Sequence, residues 1–193
     1  NRFQGQADIE LNMLGQRQAQ ISASQLRKMN PSAIYSSPLK RAQQTAAKLA
    51  MLTAQQVGIV DDLVEVNVGS WAGLTFDEVA AKDAEFVMAR DAGEDYRFSP
   101  QGETSSEAGR RAAGALRDIA ARHPGQTVVI VSHGLAIRMA IAELLGWDFR
   151  TAKGLLGLRN AAWAVVEAGE AGFKLRAYNQ GADRLENFAE QDW

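Results

Sequence analysis

The chain has 193 residues, 21 basic against 23 acidic side chains, a formal charge of −2 and no cysteine. That length fits one large domain with a substantial core, and the near-neutral balance gives no field to attract nucleic acid. Without cysteine there are no disulfides, no thiolate chemistry and no cysteine zinc sites, a composition compatible with a reducing, cytoplasmic setting; no apolar run reaches the roughly 20 residues that span a bilayer.

The chain opens at "NRFQGQADIELN" with no initiator methionine and no strand before it, so further residues upstream of Asn1 are expected. Residues 12–29 space apolar groups at helical intervals. "NPSAIYSSPL" gives a turn, a short strand around Ala33 to Tyr35, and a proline at a helix start. "LKRAQQTAAKLAML" is rich in alanine and leucine and predicts a helix. "VGIV" at 57–60 is a short β-branched strand. "TFDEVAAKDAEFVMAR" predicts one helix capped by Thr75. "SPQGETSSEAGRRAAGALRDIAARH" holds a loop and then a long helix, capped by Thr104 or Ser105 and ended by Pro124-Gly125. "QTVVIVS" predicts a strand buried on both faces, and residues 134–145 the next helix. "AAWAVVEAGEAGFKLRAYN" predicts a hairpin at the sheet edge, and the tail "ADRLENFAEQDW" a loosely ordered end. No repeat, low-complexity tract or separating linker interrupts the pattern. Alternating strands and helices predict an α/β layered fold with a mostly parallel sheet, whose ligands bind outside the carboxyl ends of the strands. His133 and the Ser36-Ser37-Pro38 turn both fall at such ends, nearly 100 positions apart.

Few residues stand out as chemistry. His133 follows an apolar strand and precedes Gly134, where the backbone can approach a ligand and a helix N-terminus favours an anion. The same residue also fits a core histidine satisfied by a backbone carbonyl. His123 lies at a helix C-terminus, where a positive ring complements the dipole, and receives no function. Arg41 falls in the first turn of its helix, where a cation opposes the dipole unless an anion lies between them; the bland reading is an exposed arginine, as for Lys40. Glu65 stands among Leu63, Val64, Val66 and Val68. Partial burial there favours a neutral carboxyl able to give a proton, although spacing alone favours a half-buried strand with Glu65 facing water. Trp71 reads as core or pocket wall. Asp61, Asp62, Asp77 and Glu78 read as solvated charges with no metal-ligand spacing.

Together "RFQGQADIELNMLGQRQA", "SSPLKRAQQTA", "LVEVNVGSWAGLTFDEV", "PQGET" and "VIVSHG" resemble, in order and over nearly the whole chain, the histidine phosphatase superfamily in its phosphoglycerate-mutase-like branch. The resemblance implies a three-layer sandwich with helices on both faces of the sheet, and one such domain over residues 1–193. It implies metal-independent and cofactor-free chemistry on a small phosphorylated metabolite. A nucleophilic histidine takes the phosphoryl group, arginines and a second histidine hold its oxygens, and a carboxylic acid protonates the leaving oxygen. Carried over by motif, Arg41 is a phosphate clamp, His133 the second histidine and Glu65 the acid. Gln4 and Gly5 match the phosphate-side loop, and the backbone of Gly134 and Leu135 the anion-binding turn. The family's Arg-His-Gly motif occurs nowhere in these residues, so the first strand and the nucleophile are expected upstream of Asn1. The stretches "RFQGQAD", "GLLGLRNAAWAVVE" and "LRAYNQGA" resemble actinobacterial-type members. The short span from Glu65 to His133 leaves little room for a mutase-type lid, which favours hydrolysis over mutase transfer or a non-catalytic phospho-ligand module. Arg110 and Arg111 read as solvated helix residues rather than contacts to a second anionic group. Dimers are common in the family, and the C-terminal hairpin offers an edge for a homodimer.

Overall fold

The computed structural model describes residues 2–181. Asn1 and the tail from Ala182 to Trp193, expected to be loosely ordered, lie outside the described residues. The elements in chain order are α1 (Met13–Leu26), β1 (Ala33–Ser36), α2 (Lys40–Thr53), β2 (Val57–Ile59), α3 (Phe76–Ala80), α4 (Ala84–Ala92), α5 (Ser105–Arg122), β3 (Val128–Val131), α6 (Gly134–Leu144), α7 (Phe149–Ala152), β4 (Trp163–Gly169) and β5 (Gly172–Gln180). β1, β2 and β3 form a parallel sheet in the order β2-β1-β3, and β4 and β5 form an antiparallel hairpin.

Strand alternation sorts the core into two layers. Ile34 and Val129 turn to one face and pack with Ala23 of α1 and with Ala46 and Leu49 of α2. Tyr35, Val128 and Ile130 turn to the other and meet Ala115 and Ile119 of α5. Helices therefore cover both faces, which makes the three-layer α/β sandwich expected from the sequence. A third cluster gathers aromatic and branched residues, Trp71, Val79 and Phe86 among them, beneath the loop that follows β2; Trp71 is core. Within the described residues no helix is long and apolar enough to cross a membrane.

Three local expectations need correction. The stretch from Thr75 to Arg90 is two helices, not one. Thr75 caps α3 through a capping box with Glu78, and the Asp83 side chain then accepts from the Phe86 N–H, starting α4 afresh. β3 meets helices on both faces but is not fully buried: Val129 is buried while Val128, Ile130 and Val131 are half-buried, since among the described residues β3 pairs with β1 alone. Residues 64–68 form no strand; they run as loop between two short 3-10 turns.

α5 and α6 approach closely through small residues, Ala112 and Ala113 against Ala136 and Ala140. Gly109 of α5 lies at the tightest point. A Cβ there would stand 2.7 Å from the Met139 Cβ and 2.9 Å from the Met139 carbonyl carbon, which is backbone and cannot swing aside. Gly109→Ala therefore sets two effects against each other. Helix propensity gains about 1 kcal/mol, while overpacking a helix contact costs about 1–3 kcal/mol. The expected outcome is a net loss, seen as a Tm lowered by roughly 2–6 °C; a Tm equal to or above that of the parent would show that the two helices have room to part.

Candidate active site

The carboxyl ends of β1 and β3 bring the separated motifs together. β1 ends in Ser36 and leads through Ser37 and Pro38 into α2, where Arg41 is the second residue. β3 ends two residues before His133, which is the N-cap of α6. Parallel pairing of Ser36 with Val131 fixes these two exits side by side.

Arg41 is anchored at three points. Its Nη1 donates to the Ala7 carbonyl at 2.6 Å, its Nη2 to the Gly5 carbonyl at 2.8 Å, and its Nε to His133 Nδ1 at 3.2 Å. A guanidinium has five N–H groups, so one on each Nη is left over among the described residues for an anion. The Gly5 carbonyl is available because residue 5 turns at a φ of +51°; a Cβ there would also lie 2.5 Å from the Val68 Cγ2. The N-terminus of α2 has no cap from Leu39. Instead the Asp8 carboxylate accepts from the Lys40 N–H at 2.7 Å, supplying the anion that reconciles Arg41 with the helix dipole. Lys40 itself is exposed, and its ion pairs with Asp8 and Glu10 at 4.0 and 3.9 Å are of the surface kind that contributes little.

His133 is buried, with 7% of its surface exposed. Its partners are side chains rather than a backbone carbonyl. Arg41 Nε always carries hydrogen, so His133 Nδ1 must accept; the neutral ring then carries its proton on Nε2, which donates to the Ser37 Oγ at 2.8 Å. Burial first, and then the positive charges of Arg41 and Arg111, push the imidazole pKa down to about 3. The ring is therefore neutral at pH 7, and neither nitrogen presents a free lone pair. His123, by contrast, ends α5 with its Nε2 2.9 Å from the Tyr35 hydroxyl, on the far side of the fold's chemistry.

Glu65 turns inward instead of facing water. Its Oε1 accepts from the Val66 N–H at 2.9 Å and the Ala136 N–H at 3.0 Å, and its Oε2 from the Leu135 N–H at 3.3 Å. The carboxyl thus sits on the N-terminus of α6, one turn from His133, and within the field of Arg41. Desolvation raises its pKa above the ordinary carboxylate value and outweighs the three backbone donors and Arg41, which lower it. The result is a carboxyl held near a site of positive charge and biased toward carrying a proton.

Arg41, His133 and Glu65 are thus brought together, with the Gly5 loop behind Arg41. Gln4 and Gly134 are exposed at the rim, together with Gln6. A Cβ at Gly134 would meet nothing nearer than the Leu158 carbonyl at 3.9 Å, so the protein's own packing does not demand glycine there. Leu135 contributes its N–H to Glu65 and its side chain to the core. Ser37, whose Oγ accepts from His133 Nε2, and Gln6, whose Nε2 donates to the Glu65 carbonyl at 3.0 Å, carry no local signal in sequence for these contacts. Both Arg110 and Arg111 are expected to be solvated. Arg110 is exposed, but Arg111 is half-buried and clasps Glu103 with two bonds of 2.9 Å. The stretch "TSSE" at 104–107 carries the capping-box spacing but says nothing of that pairing.

The model of the histidine phosphatase superfamily, branch 1, matches residues 1–181. A metal-independent phosphoserine phosphatase of Arabidopsis thaliana is 34% identical over 172 residues, covering 85% of this chain and 72% of that protein. The glucosyl-3-phosphoglycerate phosphatase of Mycobacterium tuberculosis, strain H37Rv, is 35% identical over 176 residues, covering 86% and 78%. A solved structure of the mycobacterial glucosyl-3-phosphoglycerate phosphatase in complex with VO3 superposes with a TM-score of 0.81 at 34% identity, covering 92% of this chain and 90% of that one. The chain belongs to the histidine phosphatase superfamily, branch 1, and is a phosphatase of that type.

Proposed function

We propose that this protein hydrolyses phosphate monoesters of small alkyl alcohols through a phosphohistidine, with Arg41, His133 and Glu65 as its phosphate clamp, second histidine and acid. The observation that carries the reading is the triple anchoring of Arg41, which aims two spare N–H groups beside a neutral imidazole and a protonatable carboxyl. Arg41 gathers the phosphate oxygens, and its fixed charge offsets the charge that builds up in transfer. His133 donates from Nε2 once an oxygen replaces the Ser37 hydroxyl. Glu65 gives its proton to the ester oxygen as the P–O bond breaks and a P–N bond forms on the nucleophile. The carboxylate then takes a proton from water as the oxygen of water attacks phosphorus and the P–N bond breaks, its electron pair returning to the histidine; inorganic phosphate leaves and the acid is restored.

An alkoxide is a poor leaving group, and this is why a positioned acid matters for substrates of this kind. Phosphoserine and glucosyl-3-phosphoglycerate, named for the two relatives above, both belong to it, and the stretches that resemble actinobacterial members favour the second. His133 is a poor nucleophile, since its Nδ1 accepts from Arg41 and its Nε2 carries hydrogen. The nucleophile is assigned to an Arg-His-Gly segment preceding Asn1. β3 supports this placement: its run of four β-branched residues has the composition of a central strand, yet among the described residues it has a neighbour on one side only. A strand carrying the nucleophile beside β3 would deliver it next to His133. A homodimer through the β4–β5 hairpin and a cytoplasmic location complete the proposal.

Full-length protein assayed in excess EDTA with phosphoserine, glucosyl-3-phosphoglycerate and p-nitrophenyl phosphate tests it. Release of inorganic phosphate from at least one alkyl ester, undiminished by EDTA, is expected. Activity lost on chelation, or phosphate binding without turnover, would overturn it.

A further inference from the structure

Glu65 has no strand or helix of its own. It sits in the irregular run between β2 and α3, a kind of segment that by itself is mobile. Yet an acid must be placed to within a fraction of an ångström of the leaving oxygen. The rigidity comes from α5. Arg111 of that helix donates through Nη1 to the carbonyls of Asp62 at 2.7 Å and Val64 at 3.1 Å, and through Nη2 to the carbonyl of Glu65 itself at 3.3 Å. The same guanidinium holds Glu103 with Nε and Nη2, both at 2.9 Å. Glu103 in turn closes the other end of the run: its Oε2 accepts from the Asn67 N–H at 2.8 Å, and its own N–H donates to the Asn67 carbonyl at 2.8 Å.

The backbone on both sides of Glu65 is therefore pinned by one ion pair, whose side chains are about one-fifth exposed. Such a pair is held by two N–H···O bonds in a fixed fork geometry, which lysine cannot reproduce. α5 also packs along α6, whose first N–H groups hold the Glu65 carboxyl. The acid is thus gripped at its backbone by one helix and at its carboxyl by the next.

We infer that Arg111 and Glu103 are positioning residues for the acid: they set where Glu65 presents its proton without touching the phosphoryl group. The inference rests on Glu65 acting as the acid.

The test separates proton delivery from everything else by varying the leaving group. The alkoxide of phosphoserine needs a proton to depart, whereas 2,4-dinitrophenolate does not. Full-length Arg111→Lys, Glu103→Gln and Glu65→Gln are compared with the parent by kcat/KM on O-phosphoserine and on 2,4-dinitrophenyl phosphate, with Tm recorded for each. Glu65→Gln loses roughly 10²–10⁴-fold on the alkyl ester and far less on the activated one. Arg111→Lys and Glu103→Gln lose roughly 10–100-fold on the alkyl ester and only severalfold on the activated one. Equal losses on both esters, or none on either, in variants that keep their fold would overturn the inference. If Glu65→Gln itself fails to discriminate between the esters, the assignment of the acid fails instead. Should Arg111→Lys not fold, Glu103→Gln, which retains an acceptor oxygen for Asn67, decides alone.

Discussion

Arg41→Ala is expected to lower kcat/KM for phosphomonoester hydrolysis by roughly three orders of magnitude or more. Removing a single neutral donor from a charge-stabilising site costs about 10²–10³-fold, and Arg41 supplies both a full charge and two spare N–H groups. Its loss also frees His133 Nδ1 and leaves the Gly5 and Ala7 carbonyls without their donor. Arg41→Lys should recover little, because one ammonium cannot reach two carbonyls, an imidazole and a phosphate together. Steady-state kinetics on full-length variants checks this. A folded Arg41→Ala protein within tenfold of the parent would remove the guanidinium from the chemistry.

The second large effect is on stability. His133 is buried neutral, with its pKa pushed down from an ordinary 6.5 to about 3. In the unfolded chain the imidazole takes a proton below pH 6.5, while in the fold it resists until about pH 3. The unfolded state therefore binds more protons across that window, and stability falls as the pH falls through it. The full contribution, present above pH 6.5, amounts to about 4–5 kcal/mol at 1.36 kcal/mol per pH unit. Glu65 acts in the opposite sense, since its raised pKa makes its ionised form costly and that cost lessens on acidification. Urea unfolding at pH 7, 6, 5 and 4 should show the parent losing stability more steeply than His133→Asn, by roughly 1 kcal/mol per pH unit. Identical slopes would mean that this imidazole titrates in the folded protein as it does in the unfolded chain.

The parts of the molecule legible in sequence are those governed by local rules. The cap at Thr75, a cap at Thr104 or Ser105 (the structure uses Thr104), the helical spacing of α1, the alanine- and leucine-rich α2 and the apolar β-branched run of β3 each act over a few residues. The convergence of Arg41 with His133 was legible too, because parallel strands deliver their exits to one edge. What escaped were the partners chosen by tertiary packing. Glu65 alternates with valines as a strand would, and only the N-terminus of α6, some 70 residues on, turns it inward. Arg111 looks like any surface arginine on a helix, since its acceptors are mostly backbone carbonyls, which every residue owns. Asp83 splits a helix that its neighbours would have carried through.

The most direct measurement is a crystal structure of the full-length protein with vanadate bound. The account places the vanadate oxygens within hydrogen-bonding distance of the Arg41 guanidinium and His133 Nε2, with the Glu65 carboxyl beside the apical oxygen. Vanadate bound elsewhere, or bound here with the Glu65 carboxyl out of reach of every vanadate oxygen, would contradict it.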